Sequence, residues 1–77
     1  MEYDEEKFRR IVIETLRIPE AHYKPDLKLG DVQEWDSIAH LDLVYAIEQE
    51  FSLRLSTDEI VALTGLAELR ARVKQTA

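Results

Sequence analysis

The spacing of apolar side chains between Ser37 and Phe51 constrains the fold more than any other feature of the chain. Ile38, Leu41, Val44, Ile47 and Phe51 recur every three or four residues, the period of one helix face and not the two-residue alternation of a strand. Leu43 and Ala46 widen that stripe, and Asp42, Glu48, Gln49 and Glu50 fall where the helix faces water. Asp36 stands immediately before the run and suits an N-cap, because its carboxylate can accept a free amide hydrogen of the first turn. An amphipathic helix of this kind needs other helices to cover its stripe, and the rest of the chain supplies them.

Between Asp4 and Arg17, the residues Phe8, Ile11, Val12 and Leu16 fall at i, i+3, i+4 and i+8, with acids at the start and bases later, as the helix dipole favours. Pro19 cannot continue that helix, so it stops near Ile18. From Pro19 to Asp36 no period is sustained, and Pro25 and Gly30 punctuate a loop that is long for a compact domain. Leu27, Leu29 and Val32 offer it apolar groups for packing. Ser56-Thr57-Asp58-Glu59 fits the capping-box pattern ahead of Ile60 and Leu63 and starts a short third helix, interrupted at Thr64-Gly65. Leu66, Leu69 and Val73 define a last helix, with Arg70, Arg72 and Lys74 near its end. No repeat or low-complexity tract is present, and strand-like alternation is confined to Leu53–Leu55. The expected fold is all-α: one domain over residues 1–77, a small four-helix bundle of three main helices and one short one, with the long loop between the first two.

Composition then removes classes of function. With no cysteine there is no disulfide, thiolate nucleophile or sulfur ligand for zinc. No run approaches the ~20 apolar residues of a membrane span, and the start MEYDEEK lacks the basic flank and apolar core of a signal peptide; a cytoplasmic protein that does not engage membranes is expected. The net charge of −6 argues against a nucleic-acid partner, which calls for a basic patch. The excess is local: residues 31–59 hold eight acids against one base, Arg54, a balance of −7. An acidic central face attracts and orients a basic partner, or simply keeps a solvated helix in solution.

Ser37 sits at the first turn of the central helix, where free amides and the positive dipole end favour a phosphate or another anion. Asp-Ser before an apolar run is also a plain capping signal. His40, at i+3 from Ser37, shares a helix face with it, but a catalytic serine also needs a group orienting its base and a sheltered oxyanion site, which so small a bundle hardly offers. His22 has no partner at metal-ligand spacing, and Asp58 and Glu59 are explained by capping. No catalytic or metal-binding residue is assigned, and the chain is not expected to be an enzyme.

The string Trp35-Asp36-Ser37-Ile38, followed by Leu41-Asp42-Leu43-Val44, by Ile47-Glu48-Gln49-Glu50-Phe51 and by Leu53-x-Leu55, resembles the acyl carrier protein family. The likeness extends over the whole chain: first helix, long loop, Asp-Ser opening the second helix, short third helix and last helix. It implies a 4'-phosphopantetheine arm attached to Ser37 by a phosphopantetheinyl transferase. The arm's thiol then carries an acyl or aminoacyl group as a thioester, between a loading enzyme and downstream biosynthetic enzymes with basic docking surfaces. Fatty-acid, polyketide, nonribosomal peptide or related pathways are all compatible with it. Asp36 matches the family's acidic residue beside the serine, a contact for the transferase as well as a cap. Ile38, Leu41, Asp42, Tyr45 and Glu48 match positions used to dock partners, although Ile38 and Leu41 equally suit the core.

Departures from the pattern carry information too. Ala39 and His40 stand where fatty-acid carriers often place polar or acidic residues, and Gln49 replaces a common acid. Trp35 with His40 is more similar to stand-alone carriers of specialised pathways, unless Trp35 is simply an anchor that seals the loop on the bundle. A monomer is expected. The competing reading is an unmodified acidic helical module for protein–protein interaction, with Ser37 retained as part of the cap.

Overall fold

The computed structural model describes residues 3–76, which form four α-helices: α1 Glu5–Leu16, α2 Ser37–Phe51, α3 Thr57–Ala62 and α4 Leu66–Thr76. This is the all-α four-helix bundle that the apolar spacing predicts. A single 3-10 turn, Glu20–His22, lies in the loop between α1 and α2. Among the described residues no helix is long and apolar enough to cross a membrane.

Local chemistry sets the helix ends. Asp4, in extended backbone, accepts the Lys7 amide at 3.1 Å and opens α1, with Glu5 and Glu6 in the first turn at the positive end of the dipole. Arg17 closes it in the left-handed conformation, φ 56°, its amide bonded to the Ile13 carbonyl. Ser56 and Glu59 form both halves of a capping box at the start of α3, at 3.2 and 3.0 Å.

The helices bury one continuous core. α1 contributes Phe8, Ile11, Val12 and Leu16, and α4 contributes Leu66, Leu69 and Val73. Phe8 meets Tyr3 and Phe51 at centroid separations of 6.1 and 6.4 Å, and Lys7 Nζ donates to the Glu50 carbonyl at 2.6 Å. The start of α1 therefore lies beside the end of α2, and this antiparallel pair is the bundle's main helix contact.

α2 is rotated from the register that apolar spacing alone suggests. Its buried residues are His40, Leu43, Val44 and Ile47, a stripe at i, i+3, i+4 and i+7. Ile38 and Leu41, placed in the stripe by spacing, are 75% and 59% exposed. The reason is Trp35, which is completely buried and stacks on the His40 imidazole. Two rings fill the interior at this end of α2, and the aliphatic residues on its other flank turn outward.

The long loop is a packed part of the fold. Leu29 donates to the Thr64 carbonyl and Leu66 donates to the Leu27 carbonyl, both at 2.8 Å, so the loop pairs across the α3–α4 junction at Lys28 and Gly65. Asp31 accepts the Lys28 amide at 2.9 Å. Gly30, at φ 93°, takes a conformation that side chains disfavour and donates to the Trp35 carbonyl at 3.0 Å. That turn delivers the indole to the core and leaves Asp36 and Ser37 at the surface.

Candidate functional site

The site is assembled where this loop meets α2. Asp36 has extended backbone and its carboxylate accepts the Ala39 amide at 2.8 Å, so Asp36, and not Ser37, is the cap. Ser37 is the first helical residue and is exposed. Helix geometry leaves the amides of this first turn without intrahelical partners, and the macrodipole adds partial positive charge there. The hydroxyl thus sits in a setting that favours a phosphoester, open to an enzyme approaching from solvent.

From Ser37 an exposed face runs along α2. Ile38, Leu41, Asp42, Tyr45 and Gln49 all lie on it, with Tyr45 64% exposed. α2 contains no lysine or arginine; its charges are Asp42, Glu48 and Glu50, with Asp36 and Glu34 just before it. An exposed apolar strip on a helix whose own charges are all acidic is a surface pattern suited to docking a basic partner. α3 adds Val61, 71% exposed, which apolar spacing did not single out. Its signal was present, since Ile60 in the helix and Leu63 at its C-cap pack inward and leave the two residues between them, Val61 and Ala62, facing out.

Glu48 differs from the other expected docking residues. Its carboxylate accepts the Leu55 amide at 2.8 Å and is only partly exposed. The side chain fixes the turn that leads from α2 towards α3 while keeping a share of its charge at the surface.

Behind Ser37 lies the Trp35–His40 pair. Trp35 Nε1 donates to His40 Nδ1 at 3.1 Å, and His40 Nε2 pairs with the Ile60 carbonyl at 2.9 Å. Indole nitrogen only donates, so Nδ1 must accept, and Nε2 therefore carries the hydrogen given to Ile60. The imidazole is neutral in this arrangement, with both nitrogens occupied. His40 is 5% exposed and points into the bundle, away from any role as a base for Ser37. It also satisfies a carbonyl in the last turn of α3, where intrahelical donors run out.

The ion pairs that link the described elements involve neither Ser37 nor Asp36. Arg70 donates from Nε to Glu5 at 2.9 Å, and Tyr3 donates to the same carboxylate at 2.7 Å. Burial opposes ionisation of Glu5, but the hydrogen bonds from Tyr3 and Arg70 outweigh it and hold the carboxyl below its ordinary range. Burial, reinforced by Glu5, pushes the Tyr3 hydroxyl up. Glu59 is lowered by its bond from the Ser56 amide and by Arg72, whose Nε donates to it at 2.6 Å. His22 is exposed in the loop, and among the described residues no cluster of three or more histidines and acids is placed to hold a metal ion. No family model matches the sequence.

Proposed function

We propose that this chain is a carrier protein bearing an acyl or aminoacyl group on a 4'-phosphopantetheine arm attached to Ser37. The observation that carries the reading is the placement of Ser37: an exposed hydroxyl at the first turn of α2, heading a face of Ile38, Leu41 and Tyr45 on a helix with acids and no lysine or arginine.

The residues present fit such a group. The Ser37 oxygen forms a bond to the phosphorus of the pantetheine phosphate in coenzyme A, the pyrophosphate linkage breaks, and the nucleoside bisphosphate leaves as the hydroxyl proton passes to the transferase. The resulting phosphodiester anion lies at the positive end of α2. Asp36 is spared a direct clash because its carboxylate is turned back to the Ala39 amide. The arm supplies a thiol, absent from a chain without cysteine, on which a thioester is held. Ile38, Leu41, Asp42 and Tyr45 form the docking strip for the transferase, the loading enzyme and downstream enzymes, while Glu48 adds charge at its edge. The protein performs no chemistry alone in this reading, and the cytoplasm is its place of action.

A second reading is favoured by the same strip. Four exposed large apolar side chains, Ile38, Leu41, Tyr45 and Val61, equally suit an unmodified acidic interaction module. Intact-protein mass spectrometry after incubation with coenzyme A and a broad-specificity phosphopantetheinyl transferase separates the two. One added phosphopantetheine on the wild type and none on Ser37→Ala supports the carrier. No addition beside a working control carrier leaves the module.

A further inference from the structure

We infer that Trp35, His40 and the Ile60 carbonyl form a hydrogen-bonded wedge that closes the α2–α3 seam behind Ser37, so that cargo stays outside the bundle. This rests on the carrier reading and narrows its substrate class to short or polar acyl and aminoacyl groups, as opposed to long fatty chains that need an apolar interior. The seam matters because it adjoins the attachment point: His40 lies one turn after Ser37, and its imidazole reaches across to α3.

Three observations build the wedge. Trp35 is fully buried and stacks on His40 with centroids 5.9 Å apart and ring planes 27° apart. Both imidazole nitrogens are engaged, one by the indole and one by α3. In the same core cluster as Trp35, Leu43, Ile47, Leu66 and Leu69 are at most 1% exposed, and among the described residues no buried side-chain nitrogen or oxygen lacks a partner. A methylene chain entering here would have to break both hydrogen bonds of the imidazole, the buried one to the indole and the partly buried one to α3, leaving an indole donor, an imidazole and a helix-terminal carbonyl unpaired against hydrocarbon. An apolar chain offers none of them a replacement. Outside, by contrast, a short or polar group keeps its hydration and meets only the rim of α2.

The test attaches amide-linked, hydrolysis-resistant acyl-phosphopantetheines of two to about sixteen carbons to Ser37 through the transferase, with mass spectrometry confirming each product. Unfolding midpoints and amide chemical shifts are then compared. The expected result is one midpoint for all chain lengths, with the Leu43, Ile47 and Leu66 amides unmoved. His40→Ala, or Trp35→Phe if that variant fails to fold, should restore a midpoint that climbs with chain length. A wild-type midpoint rising with length together with shifted core amides overturns the wedge and leaves the carrier reading intact. A wild type and a seam variant that are equally flat also overturn it, since something else then excludes the chain. Failure of any arm to attach overturns the carrier reading itself, and the inference with it.

Discussion

Trp35 and His40, five residues apart, share a buried 3.1 Å hydrogen bond from indole Nε1 to imidazole Nδ1, and the second imidazole nitrogen carries the link on to α3. One side chain from the loop and one from α2 thereby fix the position of a helix that is only six residues long. Such a helix is too short to persist by propensity. Trp35→Phe removes the donor, leaves His40 Nδ1 unpaired and opens a small void. A loss of about 2–3 kcal/mol is expected from the unpaired group and lost volume together, measured by urea denaturation. A double-mutant cycle with His40→Ala should show coupling of about 1 kcal/mol or more.

The cap formed by Asp36 and its proposed contact with a transferase are separable by substitution. Asp36→Asn keeps an oxygen for the Ala39 amide and should leave stability within about 0.5 kcal/mol, whereas Asp36→Ala should cost about 1 kcal/mol. If the carboxylate is a transferase contact, Asn slows modification of Ser37 as much as Ala does. Rates followed by mass spectrometry beside unfolding midpoints read both effects.

Substitutions on the exposed strip should divide binding from folding. Leu41→Ser and Tyr45→Ala remove no core contact and are expected within about 0.5 kcal/mol of wild type. On the carrier reading their effect should fall on association with the transferase, whose rate should also decline with added salt because the charges of α2 are all acidic. Stopped-flow or surface-binding kinetics at two ionic strengths check this.

Acid should loosen the bundle at the α1–α4 contact. Glu5 has a folded pKa below its unfolded value, so its contribution is present above the ordinary carboxylate value of about 4.3 and is lost as pH falls through the lowered folded value. Glu59 is shifted the same way and steepens the same limb. Glu5→Gln should cost below about 1 kcal/mol at pH 7, because the carboxylate is half exposed. Its urea midpoint should converge with that of wild type once both side chains are neutral in strong acid.

Ser52 ends α2 in the left-handed conformation, φ 53°. Glycine adopts it without the steric penalty. Ser52→Gly is expected to raise stability by about 0.5 kcal/mol, the smaller unfolded-state freedom of serine offsetting part of the gain. A small upward shift of the thermal midpoint is the readout.

Sequence alone determined what depends on near neighbours. The helices at Glu5–Leu16, Ser37–Phe51, Thr57–Ala62 and Leu66–Thr76 follow from apolar spacing within four residues. Asp4, Asp36 and the Ser56–Glu59 box follow from side chains that bond amides three positions away. The exposed placement of Ser37 follows from that cap. Tertiary structure alone decided the register of α2 and the roles of its flanks. Its sequence is apolar over more than half its circumference, so periodicity permits either Leu41 or His40 to face inward. The choice went to His40 because a loop pinned to the α3–α4 junction at Lys28 and Gly65 delivers Trp35 to that end of the core. Burial of a histidine is favourable only when both nitrogens find partners. The partners of His40 lie five residues before it and twenty after it, a distance over which no local pattern reads.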